Sequence, residues 1–364
     1  MAVALNQPSA RRRLLLASDR PDQSGELAEI LGNVGDVGVV TTADIPETPA
    51  EEIIGIVVDI DLRSAETVQR VRRKLVGNSY EAMPRLFVLA GALHHSAMQA
   101  WALGATDTIE RPFDARAILQ RVRAAFPDSN NYDTSESGRA LNEGVAAAHL
   151  VMIKMFERLP SGTPLTFDDV VKAEKQIIRA IKKTSLRQWL AVVGRHHNSS
   201  YRHCLFVTGF AVAFAQHLGM RDDDQRRLAR AALLHDVGKA FIPVAILDKP
   251  GKLTDAEMEH VRLHPRLGFE ALAAEGSFPP EMLDVVLHHH EFLDGSGYPN
   301  NLKADRISDI VRLTTIVDIH AALVERRSYR MPFTHARAFA MMEEMGGKLD
   351  QQLLQAFRPV AFGM

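Results

Sequence analysis

The chain has 364 residues, 46% of them hydrophobic and 24% charged, a composition able to fill the cores of two ordinary domains. Its formal charge of −2 points away from nucleic acid and from anionic membrane surfaces as partners. A single cysteine, Cys204, excludes an intrachain disulfide and suits a reducing compartment, so a cytoplasmic location is expected.

In chain order, residues 1–10 read as a flexible tail. MAVALNQPSARRRLLLASD carries no signal-peptide pattern, because the apolar run after its arginines is only LLLA. Residues 11–126 then alternate. RRRLLLAS, IIGIVVDID, RLFVLAG and TDTIE have strand character, whereas ELAEILGNV, AETVQRVRRKL, SAMQAWALG and DARAILQRVRAAF have helical character. Apolar, β-branched strands alternating with helices predict an α/β domain, a parallel sheet covered on both faces. The polar stretch PDSNNYDTSESGR, 127–139, reads as a linker.

From 140 onward the pattern is helical, with connecting helices over 140–195 and an all-α domain over 196–364. In the helix over 141–159, Leu141, Val145, Ala148, Met152, Met155 and Leu159 form a heptad seam. That seam serves equally a helix packed on its own domain and a dimer coiled coil. FVTGFAVAFA, 206–215, is too short to span a bilayer and runs into Gln216 and His217, so it reads as a core helix.

Eleven of the fifteen histidines fall between 196 and 320, which places the chemistry there. In HDVGK, 235–239, His235 and Asp236 adjoin at the end of the apolar helix RLARAALLHDVGK. At a helix end, neighbouring side chains can reach different metal ions, and a carboxylate can bridge two where an imidazole binds one. Taken alone, the pair also fits a capping aspartate beside a buried histidine. Asp318 lies in the apolar run IVRLTTIVDIHAAL, where an isolated carboxylate is costly unless paired or metal-bound. Together with His203, His264, His289 and His290, these residues offer seven nitrogen and oxygen donors, enough for two hexacoordinate ions. A donor set of imidazoles and carboxylates without thiolate suits iron or manganese better than structural zinc.

HDVGK followed by HHEFLDGSGYP, 289–299, with IPVAILDKPGKLTDAE between them, resembles the HD-GYP family over about 203–330. Members of that family are bacterial phosphodiesterases of cyclic di-GMP within the HD metallohydrolases. The resemblance implies that His203, His235, Asp236, His264, His289, His290 and Asp318 hold two divalent metal ions, with Asp236 bridging. Asp236 and Lys239 become the catalytic pair, Lys239 contacting phosphate. Tyr298 and Pro299 would line the nucleotide pocket, and Arg327 and Arg330 would contact phosphate or guanine. His288 is then spare, His196 a surface residue, and Glu291 a group that orients a ligand. Ser199 stands where some members place a glutamate that admits a third metal, so two are expected. Ala321 and His320 replace an aspartate and an aromatic residue. The implied reaction is hydrolysis of cyclic di-GMP to pGpG, GMP or both. A catalytically weak cyclic di-GMP-binding signalling module and a hydrolase of another cyclic dinucleotide, such as cyclic GMP-AMP, stay open as alternatives.

The first domain resembles a response-regulator receiver. Asp19 matches one acid of the family's pair, with Ser18 in the other place, and Asp59 at the end of IIGIVVD matches the phospho-acceptor. In GATDTIERPF, 104–113, Arg111 replaces the family's lysine, and Leu89 and Ala90 stand where a hydroxyl residue is expected. These losses imply a degenerate receiver used for a signalling protein partner or for dimerisation. A homodimer is expected.

Overall fold

The computed structural model describes residues 13–50, 52–75, 80, 83–90, 99–100, 103–125, 136–194, 199–249, 251–325 and 331–363. They fall into two compact units, Met1–Asp133 and Thr134–Met364.

In the first unit, strands β1 (Arg13–Ser18), β2 (Asp36–Thr41), β3 (Ile53–Asp59), β4 (Arg85–Leu89) and β5 (Asp107–Glu110) form one sheet. All pairings are parallel and the order is β2-β1-β3-β4-β5, that of flavodoxin-like sheets. The central strands are apolar on both faces because both are covered. Leu14, Leu16, Val57, Leu86 and Val88 pack with Leu27 and Leu31 of α1 (Gly25–Gly32) and with Ile118 and Val122 of α3 (Ala115–Ala125). Leu15, Ala17, Ile56, Val58 and Phe87 pack with Val71 and Leu75 of α2 (Ala65–Leu75). Strand β2 is absent from the sequence reading. It is an edge strand interrupted by Gly38, with Val39 exposed, so its apolar signal is weak. The helix expected over 96–104 lies mostly outside the described residues.

The second unit is helical. Its described helices are α4 (Glu136–Ile153), α5 (Phe167–Lys183), α6 (Leu186–Val193), α7 (Ser199–His217), α8 (Asp222–Leu234), α9 (Asp255–Val261), α10 (His264–Glu275), α11 (Pro280–His288), α12 (Asp309–Val324), α13 (His335–Glu344) and α14 (Gln351–Phe362), besides short turns such as Val244–Leu247. Among the described residues it holds no strand, only an isolated bridge between Asp294 and Lys303. Helix α4 begins at Glu136, inside the stretch read as a linker, so the last four residues of that stretch belong to the helix.

Two helix starts are set by reciprocal caps. Thr166 accepts from Asp169 N–H at the start of α5, and Thr254 from Glu257 N–H at the start of α9; in each case the acid returns the bond to the cap backbone. The heptad seam of α4 is spent within the unit: Ala148, Met152 and Met155 are buried, and Leu141, Val145 and Leu159 pack against the same core. Helix α7 is the centre of this unit. It is apolar nearly all round, as a helix must be when neighbours cover every side, and α6, α8, α12 and α14 pack on it. No described helix is long and apolar enough to cross a membrane.

Candidate metal centre

Each member of the cluster stands where a chain element ends or turns inward. His235 caps the C-terminus of α8, Asp236 follows it, His264 opens α10, and His289 caps α11. His203 and Asp318 project from the interiors of α7 and α12. His203, His235, Asp236, His264, His289 and Asp318 are all buried, and His290 is half-buried.

Asp236 is the hub. Its Oδ2 lies 3.6 Å from His203 Nε2 and 3.4 Å from His235 Nε2. Its Oδ1 lies 3.2 Å from His264 Nε2 and 3.7 Å from His289 Nε2. One carboxylate therefore faces two separate pairs of imidazole nitrogens with its two oxygens. Asp318 Oδ1 lies 2.8 Å from His203 Nε2 and 3.8 Å from His235 Nε2, while its Oδ2 is 4.0 Å from His290 Nδ1. The donors form three overlapping groups with ligand atoms within 4.8 Å of one another: Asp236, His264, His289 and His290; His203, His235 and Asp236; His235, His289 and Asp318.

The cluster fits metal chemically. His235 Nε2 and Asp236 Oδ1 are buried and make no hydrogen bond, a costly state for polar atoms that a cation would relieve. His264 Nε2 and His289 Nε2 approach to 3.2 Å, two ring nitrogens turned toward one centre. Their opposite nitrogens are anchored: His235 Nδ1 by Ala232 O at 2.7 Å, His264 Nδ1 by Val261 O at 2.7 Å, and His289 Nδ1 by Val286 O at 3.1 Å. An N–H given outward leaves the Nε2 lone pair pointing inward, the tautomer a ligand needs.

Electrostatics agree. Burial opposes ionisation of Asp236, but Lys239 and His235 beside it hold its carboxyl well below the usual carboxylate range. Burial likewise opposes ionisation of Asp318, but the His203 hydrogen bond and the charges of His203, His235 and His290 together outweigh it, keeping this group a carboxylate too. Burial depresses His264 to about 4 and also pushes His290 well down, so both rings are neutral. For His203, burial disfavours the charged ring, but hydrogen bonds to Asp318 and Glu325 prevail and raise it.

Lys239 Nζ donates to Asp236 Oδ2 at 2.5 Å, one turn beyond the histidine–aspartate pair. Gly238 makes that turn feasible: a Cβ there would sit 1.8 Å from His264 O, so only glycine lets the end of α8 meet the start of α10. Gly297 has the same constraint, since its Cβ would lie 2.4 Å from Phe292 N. The tight loop it permits lays the Tyr298 ring on His290, centroids 4.7 Å apart and planes 23° from parallel. The Arg262 guanidinium carbon lies over the same ring, 5.4 Å from the centroid. Pro299 follows Tyr298 in the same loop and is half-buried.

Some expectations change. Glu291 orients no ligand; its carboxylate accepts from Asn300 N at 2.6 Å and Leu302 N at 3.0 Å, bracing the loop after Tyr298. His288, the spare, gives Nδ1–H to Asp284 Oδ1 at 2.7 Å and joins none of the three donor groups among the described residues. Ser199 donates to Asp248 at 3.2 Å. Arg327, Arg330 and His196 lie outside the described residues. Two residues went unread in the sequence. Arg262 is an ordinary exposed arginine there, and Glu325 sits in ERRSYR, where charge is dense and nothing marks one acid as buried.

In the first unit Asp19 and Asp59 stand at the C-terminal ends of β1 and β3. Asp19 Oδ2 accepts from Asp61 N at 2.7 Å. Arg111 Nη2 donates to Asp59 Oδ2 at 2.9 Å, and its guanidinium stacks on Phe113.

Comparison with known proteins agrees with this geometry. The HD domain family model matches residues 173–353. A cyclic di-GMP phosphodiesterase of Pseudomonas aeruginosa is 39% identical over 278 residues, 67% of this chain and 67% of that protein. A 3′3′-cGAMP-specific phosphodiesterase of Vibrio cholerae is 40% identical over 142 residues, 39% of this chain and 31% of that protein. The chain thus spans two thirds of the first relative and less than a third of the second. An HDG"Y"P protein from Bdellovibrio bacteriovorus shares the fold, with a TM-score of 0.50 at 19% identity over 67% of this chain and 78% of that one. At the identity and coverage of the Pseudomonas relative, and with its HD and GYP segments folded around one carboxylate, the chain belongs to the HD-GYP group of the HD-domain family.

Proposed function

We propose that the chain hydrolyses cyclic di-GMP with two divalent ions, iron or manganese, held by His203, His235, Asp236, His264, His289, His290 and Asp318. The observation that carries this reading is the division of Asp236, each oxygen facing its own pair of imidazoles. When bound, the ions supply Lewis acidity at the phosphodiester and a water acidified toward neutral pH.

The protein's own share is positioning and charge. Asp236 and Asp318 stay ionised in a buried site, so they balance cationic charge without a proton to lose. Lys239, with 17% of its side chain exposed, is the buried centre's link to the surface, and its ammonium takes up negative charge gathering on phosphoryl oxygens. Tyr298, stacked on His290 with Arg262 near its ring, lines the proposed nucleotide pocket, with Pro299 beside it. Arg327 and Arg330 complete the proposed phosphate and base contacts. The products are pGpG, GMP or both, and the single buried cysteine suits work in the cytoplasm.

The test is incubation of protein purified without added metal, its metal content measured, with cyclic di-GMP. Hydrolysis with close to two ions per chain is expected, and Asp236→Ala should abolish it; an Asp236→Ala protein as active as the wild type refutes the scheme. A second substrate reading has one observation in its favour, the 40% identity to a cGAMP-specific enzyme. Competition between cyclic di-GMP and 3′3′-cGAMP separates the two. Tight binding of unchanged nucleotide would instead make the domain a sensor.

For the first unit we infer a partner-binding module of receiver type that is not phosphorylated, because Arg111 occupies the Asp59 carboxylate. A homodimer would form through surfaces other than the α4 seam, which is buried within the chain.

A further inference from the structure

The ring anchors of three of the cluster's five histidines follow one rule. His235, His264 and His289 each give Nδ1–H to a backbone carbonyl three residues earlier, Ala232, Val261 and Val286. Those carbonyls belong to the last turns of α8, α9 and α11, where a helix leaves its final C=O groups without partners. A histidine placed at a helix end finds its anchor free of charge. His203 cannot do the same. It is the fifth residue of α7, and the carbonyls of Ser199 and Ser200 beneath it are taken by the helix's own ladder.

The chain meets that need from elsewhere. Glu325, 1% exposed at the C-terminus of α12, places Oε2 3.1 Å from His203 Nδ1. Its other oxygen accepts from Arg202 Nε at 2.9 Å. A buried carboxylate is costly without a countercharge, and Arg202, the neighbour of His203 on α7, supplies one while leaving Oε2 for the imidazole. Because α12 also carries Asp318, one helix grips both nitrogens of the ring: Glu325 at Nδ1 and Asp318 at Nε2, 2.8 Å away.

We propose that Glu325 is a positioning residue for the metal centre: it holds His203 with Nε2 turned to the cluster and, as a carboxylate, raises that nitrogen's strength as a ligand. This rests on the two-metal reading above. A carboxylate is a stronger acceptor than the backbone carbonyls anchoring His235, His264 and His289, so His203 is more electron-rich than those three imidazoles.

Manganese affinity of metal-stripped protein, read by titration calorimetry with circular dichroism as the check on folding, decides the matter. Glu325→Gln keeps shape and removes charge; folded, it should bind Mn²⁺ about 10- to 100-fold more weakly than the wild type. Glu325→Asp keeps the charge beside Arg202 and draws the carboxylate back from His203; it should fall between the two. A role confined to tying α7 to α12 would lower thermal stability and leave the affinity of the folded protein unchanged. Wild-type Mn²⁺ affinity in either folded variant therefore overturns the assignment, and the aspartate decides if the glutamine protein fails to fold. Wild-type protein that takes up no Mn²⁺ is a different result: it sinks the metal reading, and this one with it.

Discussion

At the scale of single residues, the site keeps its carboxylates ionised where burial alone would favour the protonated form. Asp236 is fully buried yet ionised because Lys239 and His235 lie against it. Lys239 has the second task of meeting the substrate, and the two can be parted. Lys239→Met removes a donor aimed at developing charge without removing a ligand. It should cut kcat by roughly 10²–10³ while the measured metal content per chain stays that of the wild type. Loss of metal in parallel with rate would make Lys239 structural. Cys204 shows the opposite use of burial. It follows His203 on α7 but faces the core, and burial pushes its thiol well above the ordinary range. The native protein should be inert to an aromatic disulfide reagent at pH 8, and one thiol per chain should react once it is unfolded. Rapid labelling of the folded enzyme would show that α7 opens.

At the scale of elements, the centre is made where helices stop. Three ligand histidines sit at helix ends and draw on free carbonyls, and the end of α8 can touch the start of α10 because Gly238 has no side chain. Gly238→Ala would drive a methyl group into His264 O. The expected cost is about 1–3 kcal/mol of stability, together with weaker metal retention, checked by thermal melting and metal analysis of one preparation. An unchanged melting temperature and full metal content would show that the helix junction is slack. The same elements show what the sequence discloses. The ligand histidines and both aspartates are readable because each is an anomaly: a carboxylate in the apolar run of α12, two histidines before a glycine-rich turn, a histidine–aspartate pair ending an apolar helix. Buried strands β1, β3 and β4 stand out for the same reason. Edge strand β2 does not, since Gly38 interrupts it and Asp36 and Val39 are exposed. Glu325 and Arg262 are silent because a charged residue in a charged segment looks solvated until the fold brings a partner from 122 residues away, as it does for Glu325 and His203. Glu291 was legible as special and misread in its role, because a motif position does not say whether an acid faces the metal or the backbone of its own loop.

At the scale of the whole molecule, the chain joins a cluster able to hold metal to a receiver-like sheet whose phosphorylation, on the reading proposed above, is obstructed. A receiver aspartate must attack as a free carboxylate, and the proposed pseudo-receiver obstructs this. Burial pushes the Asp59 carboxyl up, against the pull of Arg111. The oxygen nearest Arg111 is already taken by a hydrogen bond of 2.9 Å from a guanidinium that is itself stacked on Phe113. A lysine in that place has one flexible ammonium, whereas an arginine held flat against a ring is slow to yield its partner. Incubation of the full chain with acetyl phosphate and Mg²⁺ should therefore leave its intact mass unchanged and its rate of cyclic di-GMP hydrolysis the same. Arg111→Lys, which loosens the latch, is the informative companion: a phosphoryl adduct appearing only in this variant would identify the guanidinium as the obstruction. An adduct on Asp59 in the wild type, with a change in turnover, would make the first unit a working switch and overturn its reading as a binding module.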